Sequence, residues 1–414
     1  MTLERGISVI GLLAMIGLAW LLSENRRRVD WRLVISALGL QFVLALLILR
    51  TGFGEQFFVV VRQAFIIVTE ASDEGARFLF GNLTRPFTLS EEAVLDVEGP
   101  LFINGVVAFS VLPTVIVVSC LAGILYHLRV IQWVVRLMSA AMRRTLRTSG
   151  AETFGVAMLV FLGIESMPTL KGYLRTMTRS ELLTVMTAFM ATVAASVSLI
   201  YATFGAEPGH ILAASLMSAP AAILIAKVML PEVETPPTLG GHVEIEVESH
   251  NIIDGAARGA SDGLMLALNI GALLIAFISI VYLINVAFDA AIGYTFTEIM
   301  GWLFRPFAFL MGVPREDIAA VGQLLGTKSV INEFIAYSDM KGMIDAGTLS
   351  PRSVTIATYA LCGFANPGSL GILIAGLAGL VPERRKEITR LGFKALIAGT
   401  LAVFMTACIA GILG

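Results

Sequence analysis

The chain has 414 residues, of which 57% are hydrophobic and 14% are charged, and its mean hydropathy is +0.84. A soluble domain is not this apolar, so the composition predicts an integral membrane protein with several crossings. The formal net charge of −2, without a basic cluster interleaved with aromatic residues, excludes nucleic-acid binding. The three cysteines and four histidines are scattered without ligand spacing, so neither a metal site nor a cofactor is predicted.

Long apolar stretches predict eight transmembrane helices, since a crossing of the roughly 30 Å hydrocarbon layer needs about 20 helical residues. A shorter stretch, residues 55–68, is interrupted by Arg62 and is predicted to be an interfacial helix; the alternative is a further crossing. The eight predicted crossings are residues 6–22, 33–49, 101–126, 180–204, 210–230, 260–288, 352–380 and 391–413.

Basic residues in the short loops indicate the orientation, because such loops favour the cytoplasm. With eight crossings, three basic clusters fall on one side of the membrane: residues 26–32, 129–179 and 384–390. The acid-rich stretch 70–98 falls on the opposite side. Both termini are therefore predicted to be periplasmic, in a bacterial-type cytoplasmic (inner) membrane. Residues 231–254, rich in Pro, Gly and Glu, are predicted to be a solvated cytoplasmic linker.

Two stretches, residues 149–178 and 315–341, resemble interrupted crossings. Their apolar arms have about 12 residues each, too short for a layer that needs about 20. Polar residues interrupt the first at 165–166 and the second at 327–333. Irregular backbone at membrane depth occurs where it is buried in protein or lines a cavity, so both stretches are predicted to be re-entrant hairpins with tips near mid-membrane.

A hairpin followed by two crossings occurs twice, in residues 149–230 and 315–414. An odd number of crossings separates the copies, so the repeats are inverted, an arrangement whose interface typically holds a substrate. The fold class is thus an all-α polytopic membrane protein with eight transmembrane helices, two re-entrant hairpins in an inverted repeat and an interfacial helix. The remaining segments are residues 1–148, with the early crossings, and 231–314, with the linker and the sixth crossing.

Polar residues inside the predicted crossings mark a transported ligand or ion, because they are costly at bilayer depth. The run N-P-G-S at residues 366–369 predicts a crossing that is unwound at its middle, although a simple kink is the alternative. Glu333 could instead pair with Lys328. Thr192 and Ser196 could each bond only to a carbonyl of their own helix.

The second half resembles the concentrative nucleoside transporter family through two spaced motifs. These are G-T-K-S-V-I-N-E-F-I-A-Y at residues 326–337 and C-G-F-A-N-P-G-S at residues 362–369. The resemblance covers nearly the whole chain. It implies a homotrimer in the lipid bilayer, with a scaffold made by the early crossings and the sixth, and with an elevator-type transport domain made by the two repeats.

The resemblance also implies which residues bind the substrate. In such proteins the hydroxyls of the ribose are held by residues equivalent to Glu333, Asn366 and Ser369, with Asn332 and Phe364 close by. A carboxylate accepts hydrogen bonds from vicinal hydroxyls, while an amide and a hydroxyl can donate or accept.

The first hairpin departs from the family pattern G-Q-[ST]-E-x-P, because this chain has Gly163-Ile164-Glu165-Ser166-Met167-Pro168. Glu165 and Ser166 remain candidate substrate-binding residues. Isoleucine cannot pair with the edge of a base as glutamine does, so the expected substrate carries a different base or only resembles a nucleoside.

The coupling ion is predicted to be a proton in preference to sodium. Sodium-coupled members of the family carry an asparagine four residues before the glycine of the hairpin, where this chain has Leu159, and a hard cation requires oxygen ligands. The ion-coupling candidates are Glu165, Thr192 and Glu333.

These features predict a cation-coupled symporter that imports nucleosides or nucleoside-like compounds. The alternative is a symporter for a different small hydroxylated or anionic metabolite. An intramembrane enzyme would have to use Ser166 beside Glu165, and adjacent side chains project in different directions, so no enzyme is predicted. A signalling or channel protein is disfavoured because neither an appended soluble domain nor a pore-lining polar stripe is evident.

Overall fold

A computed structural model describes residues 3–84, 87–89, 101–103, 107–110, 112–194, 197–198, 201–202, 204–239 and 249–414. Within these residues the chain is helical apart from a two-stranded antiparallel ribbon, in which β1 (Phe87–Leu89) pairs with β2 (Leu101–Ile103). The all-α fold class is confirmed. Ser196 and the side chains of Ile164 and Glu165 lie outside the described parts.

The described part of the chain contains α-helices of widely different length. In chain order they are α1 (Leu3–Leu21), α2 (Trp31–Arg50), α3 (Gly52–Phe80), α4 (Val107–Ser110), α5 (Leu112–His127), α6 (Val130–Leu146), α7 (Gly150–Leu162), α8 (Lys171–Leu174), α9 (Arg179–Ala191), α10 (Pro208–Met229), α11 (Ile252–Ile292), α12 (Phe296–Leu310), α13 (Ile318–Val330), α14 (Glu333–Asp345), α15 (Pro351–Leu361), α16 (Pro367–Leu380) and α17 (Arg385–Leu413).

Six of the described helices are long and apolar enough to cross a membrane, namely α1, α2, α3, α10, α11 and α17. Five of them coincide with predicted crossings. The sixth, α3, contains the predicted interfacial helix 55–68 but is 29 residues long, so the predicted bounds were too short. Arginine is a good helix former, and Arg62 therefore does not interrupt the helix. The protein is an integral membrane protein, and the count of eight crossings stays a prediction.

The two predicted hairpins are helical arms joined by short breaks. In the first, α7 leads into a 3-10 segment, Gly163–Leu170, followed by α8. In the second, α13 and α14 are separated by Ile331 and Asn332 alone. Each arm is shorter than a crossing, as the sequence predicted.

One carboxylate closes the open end of each hairpin. Ser149, which caps α7, donates to Glu181, and Glu181 also completes the capping box that begins α9. In the second repeat Ser350, which caps α15, donates to Asp317 from its hydroxyl at 2.6 Å and from its backbone N–H at 3.0 Å. Each pair joins the start of a hairpin to the start of the following helix.

Two sets of polar contacts mark opposite ends of the bundle. At one end, Arg179 lies 3.5 Å from Glu24, and Arg175 lies 3.0 Å from Glu383. At the other end, Arg5 donates to the carbonyl of Gly414 at 2.6 Å. The first hairpin opens at the end that holds Arg175 and Arg179, and the second opens at the end where Arg5 contacts Gly414. The two repeats are therefore inverted.

The first predicted crossing after each hairpin is broken. The break between α15 and α16 at residues 362–366 lies where the N-P-G-S run predicted it. The sequence did not predict that α9 also ends early, with Thr192 as its C-cap. Ser215 of α10 accepts a hydrogen bond from the Val193 N–H and donates one to the Val193 carbonyl, each at 2.8 Å, which replaces the bonds that a continuing helix would make.

By internal contacts the chain divides into two compact units. The first comprises Met1–Phe58, Gln132–Glu246 and Phe277–Gly414, and the second comprises Val59–Ile131 and Val247–Ala276. In the first unit, α10 is buried over nearly its whole length, α2 packs against α10, and α1 packs against α17. Helices α1 and α2 cluster by contacts with the two repeats, and the predicted division at residue 148 stays a prediction.

In the second unit, α11 packs closely against α5 through small residues. A Cβ atom added at Gly259 would lie 2.3 Å from the carbonyl oxygen of Ser119, and one added at Gly123 would lie 2.3 Å from that of Gly255. The backbones of the two helices can approach this closely only because these positions lack side chains.

Candidate functional site

Glu333 lies at the centre of a buried polar cluster in the first unit. It is the first residue of α14, and only 5% of its surface is exposed. Its Oε1 accepts a hydrogen bond from the Tyr201 hydroxyl at 2.7 Å, and its Oε2 accepts one from Asn366 Nδ2 at 2.7 Å. The positive end of the α14 dipole also favours a carboxylate at this position.

Two asparagines begin the helices that meet at this cluster. Asn332 caps α14 by accepting from the Ile335 N–H at 3.0 Å, and Asn366 caps α16 by accepting from the Ser369 N–H at 2.8 Å. Because the side-chain oxygen of Asn366 accepts from its own helix, the side-chain nitrogen faces Glu333. The sequence motifs thus act first as helix caps, and the caps orient the polar groups.

Aromatic rings surround the carboxylate. Tyr201 stacks on Tyr337 with ring centroids 4.8 Å apart, and the Tyr337 hydroxyl donates to the carbonyl of Thr358 at 2.8 Å. Phe364, which is half-buried, lies against Phe189 with centroids 5.5 Å apart. The result is a polar group enclosed by an apolar wall, as in small-molecule sites.

Tyr201 is a residue of this polar cluster that the sequence did not predict. It lies near the end of the predicted crossing 180–204 and outside both motifs, so its type alone gave no reason to select it. A hydroxyl-bearing aromatic residue at membrane depth was the available signal, because a buried tyrosine O–H requires an acceptor.

The predicted site residues divide into two groups. Glu333, Asn366, Ser369, Asn332 and Phe364 all belong to the segments that meet around the carboxylate. Among the described residues, Ser166 instead donates to the carbonyl of Gly163 at 2.7 Å, within its own hairpin.

Of the ion-coupling candidates, Thr192 donates its hydroxyl to the carbonyl of Ala188 at 2.8 Å, which is the helix back-bonding that the sequence left open. Leu159 is buried and brings no side-chain oxygen to this region. Within the described ranges, no three His, Cys, Asp or Glu side chains are placed to hold a metal ion together.

Lys328 does not form the ion pair with Glu333 that the sequence allowed. Its ammonium group donates to the carbonyl of Ala360 at 2.8 Å, and Glu333 acts on it through charge, without a hydrogen bond among the described contacts. The Glu333 carboxylate is therefore satisfied by neutral donors.

Three family profiles match the chain in order. "Na+ dependent nucleoside transporter N-terminus" matches residues 10–83, "Nucleoside recognition" matches 108–208, and "Na+ dependent nucleoside transporter C-terminus" matches 210–411. Together these ranges cover most of the sequence.

Curated relatives and solved structures agree with the profiles. Solute carrier family 28 member 3 of Mus musculus is 40% identical over 98% of this chain, which spans 58% of that relative's length. The nucleoside permease NupC of Helicobacter pylori is 36% identical, covering 98% of this chain and 97% of that protein. An inward-facing, substrate-bound structure of CNTnw is 36% identical and superposes with a TM-score of 0.88, covering 98% of each chain. These relatives are transporters or permeases, so the enzyme alternative is set aside, and the chain belongs to the concentrative nucleoside transporter family.

Proposed function

We propose that this protein is a secondary active symporter that imports nucleosides or nucleoside-like compounds. The observation that carries the proposal is the buried Glu333 carboxylate, which is held by the neutral donors of Tyr201 and Asn366 at the meeting point of two helix N-termini. A buried carboxylate whose side-chain hydrogen bonds come from neutral donors is suited to accept further hydrogen bonds from a neutral polyol.

The geometry of the carboxylate matches a vicinal diol. An ionised carboxylate has about four lone-pair sites, two on each oxygen. Tyr201 uses one site on Oε1 and Asn366 uses one on Oε2. The backbone N–H of Glu333 is a third donor to the carboxylate, so about one acceptor site remains. One ribose hydroxyl can donate to it while the adjacent hydroxyl bonds to a neighbouring polar side chain. Ser369 and Asn332 then supply the neighbouring polar contacts, and Phe364 supplies an apolar surface.

The base end of the substrate is assigned to the first hairpin. Ser166 donates its proton to the carbonyl of Gly163, so its oxygen is left to accept from a base N–H group. Ile164 offers no amide, and Glu165 supplies a carboxylate, which favours a base with donors over ordinary uridine recognition. A symporter for a different small hydroxylated or anionic metabolite is the second candidate, because the amide at position 164 is missing.

Coupling is assigned to a proton in preference to sodium, with Glu165 and Glu333 as carriers. Leu159 brings no oxygen, while Thr192 retains acceptor capacity on a hydroxyl whose proton is already used. The two repeats are proposed to move as an elevator within a homotrimer, in a bacterial-type inner membrane with both termini periplasmic.

The test is uptake of labelled uridine into proteoliposomes under an inward proton gradient without sodium, with unlabelled nucleosides and ribose as competitors. Accumulation above equilibrium that Asn366→Ala abolishes would support the proposal. If wild-type protein takes up neither uridine nor other nucleosides, with or without sodium, the proposal fails.

A matched pair of variants tests the base end. Ile164→Gln restores the amide that the family pattern carries, and Ile164→Leu conserves the apolar character. We expect Ile164→Gln to broaden uptake to pyrimidine nucleosides and Ile164→Leu to leave selectivity unchanged. Equal selectivity in the two variants would mean that the base is read elsewhere.

A further inference from the structure

The ends of two broken helices meet in the buried core of the first unit. Helix α9 ends at Ala191 and α15 ends at Leu361. Gly363, two residues beyond α15, lies so close to the end of α9 that an added Cβ would be 2.9 Å from the Met190 carbonyl oxygen. The C-termini of both helices are thus in direct backbone contact.

This contact is electrostatically unfavourable without a cation. A helix C-terminus carries about half a negative charge, and its last carbonyl groups have no partner within the helix. Here both ends are buried, and the carboxylate of Glu333 lies in the same core. At membrane depth no bulk water screens these groups, so a positive charge close to them is strongly stabilising.

Lys328 supplies that charge in the second repeat. Its side chain is only 2% exposed, and its ammonium group donates at 2.8 Å to the carbonyl of Ala360, in the last turn of α15. Among the described residues this carbonyl, and no carboxylate, is its hydrogen-bond acceptor. Burying an ammonium is costly unless it is paired, so the end of α15, together with the nearby charge of Glu333, retains it.

The first repeat has no equivalent charge. Lys328 stands four residues before Asn332, the residue that begins the second arm of its hairpin, and Leu159 stands four residues before Gly163 of the other hairpin. Both positions are in the last turn of the first hairpin arm, and both side chains are buried. Counted from the last residue of each arm the two differ by one position, so the repeats place a lysine and a leucine in the same helical turn.

We propose that Lys328 is a resident cation of the second repeat, which compensates the buried C-terminal end of α15 so that this helix end requires no mobile cation from solution. The inference deepens the proposed symport function and rests on it for its meaning in transport. The requirement for a positive charge at this point follows from the contacts of Lys328 and does not depend on the transport function.

The test is chemical rescue. Lys328→Ala removes the charge and leaves a cavity, Lys328→Met removes the charge but fills the space, and Lys328→Arg keeps the charge. We expect Lys328→Ala to lower the thermal unfolding midpoint and to weaken binding of the nucleoside that the wild type takes up by more than about tenfold. Methylammonium chloride should restore both, whereas choline chloride at the same ionic strength should not, because choline is too large for the cavity.

Lys328→Met is the discriminating control. It should be as impaired as Lys328→Ala and should not respond to methylammonium, since its side chain occupies the space. If Lys328→Met unfolds and binds like the wild type, the lysine serves only to fill volume and the proposal is wrong. Equal rescue of Lys328→Ala by choline would show an effect of ionic strength and would also overturn it.

Two further outcomes also decide the role of Lys328. If Lys328→Ala folds only when it is prepared with methylammonium, the proposal is supported; if Lys328→Arg fails to fold where Lys328→Met succeeds, it is overturned. The unfolding midpoint requires no substrate. A wild-type protein that binds no nucleoside would therefore refute the proposed function, while the rescue of folding would still decide the role of Lys328.

Discussion

The hydrogen bond between Tyr201 and Glu333 joins a residue of the first repeat to one of the second. Tyr201 is held in place by stacking on Tyr337, whose own hydroxyl is bound to the carbonyl of Thr358. The orientation of the carboxylate is thus set by a chain of buried contacts that extends beyond the residues expected to touch a ligand. Such positioning limits the entropy that a site loses when the ligand binds.

The first prediction concerns the carboxylate itself. Glu333→Gln should weaken binding of the nucleoside that the wild type takes up by more than about tenfold, because one acceptor oxygen becomes a donor that opposes either the Tyr201 hydroxyl or the Asn366 amide. Calorimetric titration of the purified protein measures this. Glu316→Gln, a change at an exposed glutamate close to the start of the same hairpin, should leave affinity unchanged. Wild-type affinity in Glu333→Gln would remove Glu333 from the site.

The second prediction separates Tyr201 from its stacking partner. Tyr201→Phe keeps the ring but removes a donor to a buried carboxylate, which should cost about 2 kcal/mol of stability and weaken substrate binding several-fold. Tyr337→Phe removes a bond to a neutral carbonyl and should cost about 1 kcal/mol, with affinity retained. Thermal unfolding and calorimetric titration of both variants provide the comparison. Retained affinity in Tyr201→Phe would mean that Tyr201 acts by packing alone.

At the level of elements, each hairpin is closed by a carboxylate and a serine, with the residue types exchanged between the repeats. In the first repeat the serine begins the hairpin and the glutamate belongs to the following helix; in the second, Asp317 begins the hairpin and Ser350 begins the following helix. The same bond therefore secures both open ends, although the two sequences differ.

The third prediction is that acid weakens the contact between Asp317 and Ser350 that closes the second hairpin. Burial raises the pKa of Asp317, but the hydrogen bonds from Ser350 and Ser353 outweigh it and hold the pKa below its usual value. A carboxylate whose pKa is depressed by folding stabilises the protein above its unfolded pKa of about 3.9, and this stabilisation is lost as the pH falls through the folded pKa. Asp317→Asn should therefore lower the unfolding midpoint at neutral pH, and the difference from wild type should vanish in acid.

The effect is measured by the unfolding midpoints of wild type and Asp317→Asn, from neutral pH down through the folded pKa of Asp317. Glu316→Gln is the matched control. A difference between wild type and Asp317→Asn that stays constant as the pH falls would mean that the charge of Asp317 does not stabilise the closure.

Which elements could be predicted from sequence depended on where their determinants lie. Helices α1, α2, α10 and α17 carry long apolar windows, and Pro367 marks the break before α16, so each signal is local. The break after Ala191 depends on Ser215 of α10, a tertiary contact that no local pattern contains. Helices α6 and α12 are amphipathic and lack an apolar window of membrane length, so hydropathy did not predict them as crossings.

The candidate site shows the same limit. The motifs predicted Glu333 and Asn366 because polar residues at membrane depth are conspicuous in sequence. They could not predict that Lys328 would bind the end of α15 instead of Glu333. From its position on α13 the long lysine side chain can extend toward either group. Tyr201 becomes recognisable only once the fold brings the end of a broken crossing to the carboxylate.

Across the whole molecule, charges that are distant in sequence gather at one end of the first unit. Glu24, after α1, contacts Arg179 before α9 and Lys394 in α17. At the opposite end, Arg352 donates to the carbonyls of Gly312 and Gly411. The predicted basic side of the membrane thus corresponds to one end of the folded bundle, which supports a single orientation for loops that the sequence could assign only by counting crossings.

The last prediction assigns these ends to the two sides of the membrane. Since basic loops favour the cytoplasm, cysteines introduced as Arg27→Cys and Lys386→Cys should react with a membrane-impermeant maleimide only in inverted vesicles. Asp345→Cys, at the end of α14 and close to the Asp317 closure, should react only in intact cells. The native cysteines are replaced by alanine beforehand, because Cys120 is only half-buried. If Arg27→Cys and Asp345→Cys label from the same side, the two hairpins do not enter from opposite faces of the membrane. If all three positions label with the reverse sidedness, the inverted repeat stands and the assignment of the termini to the periplasm is wrong.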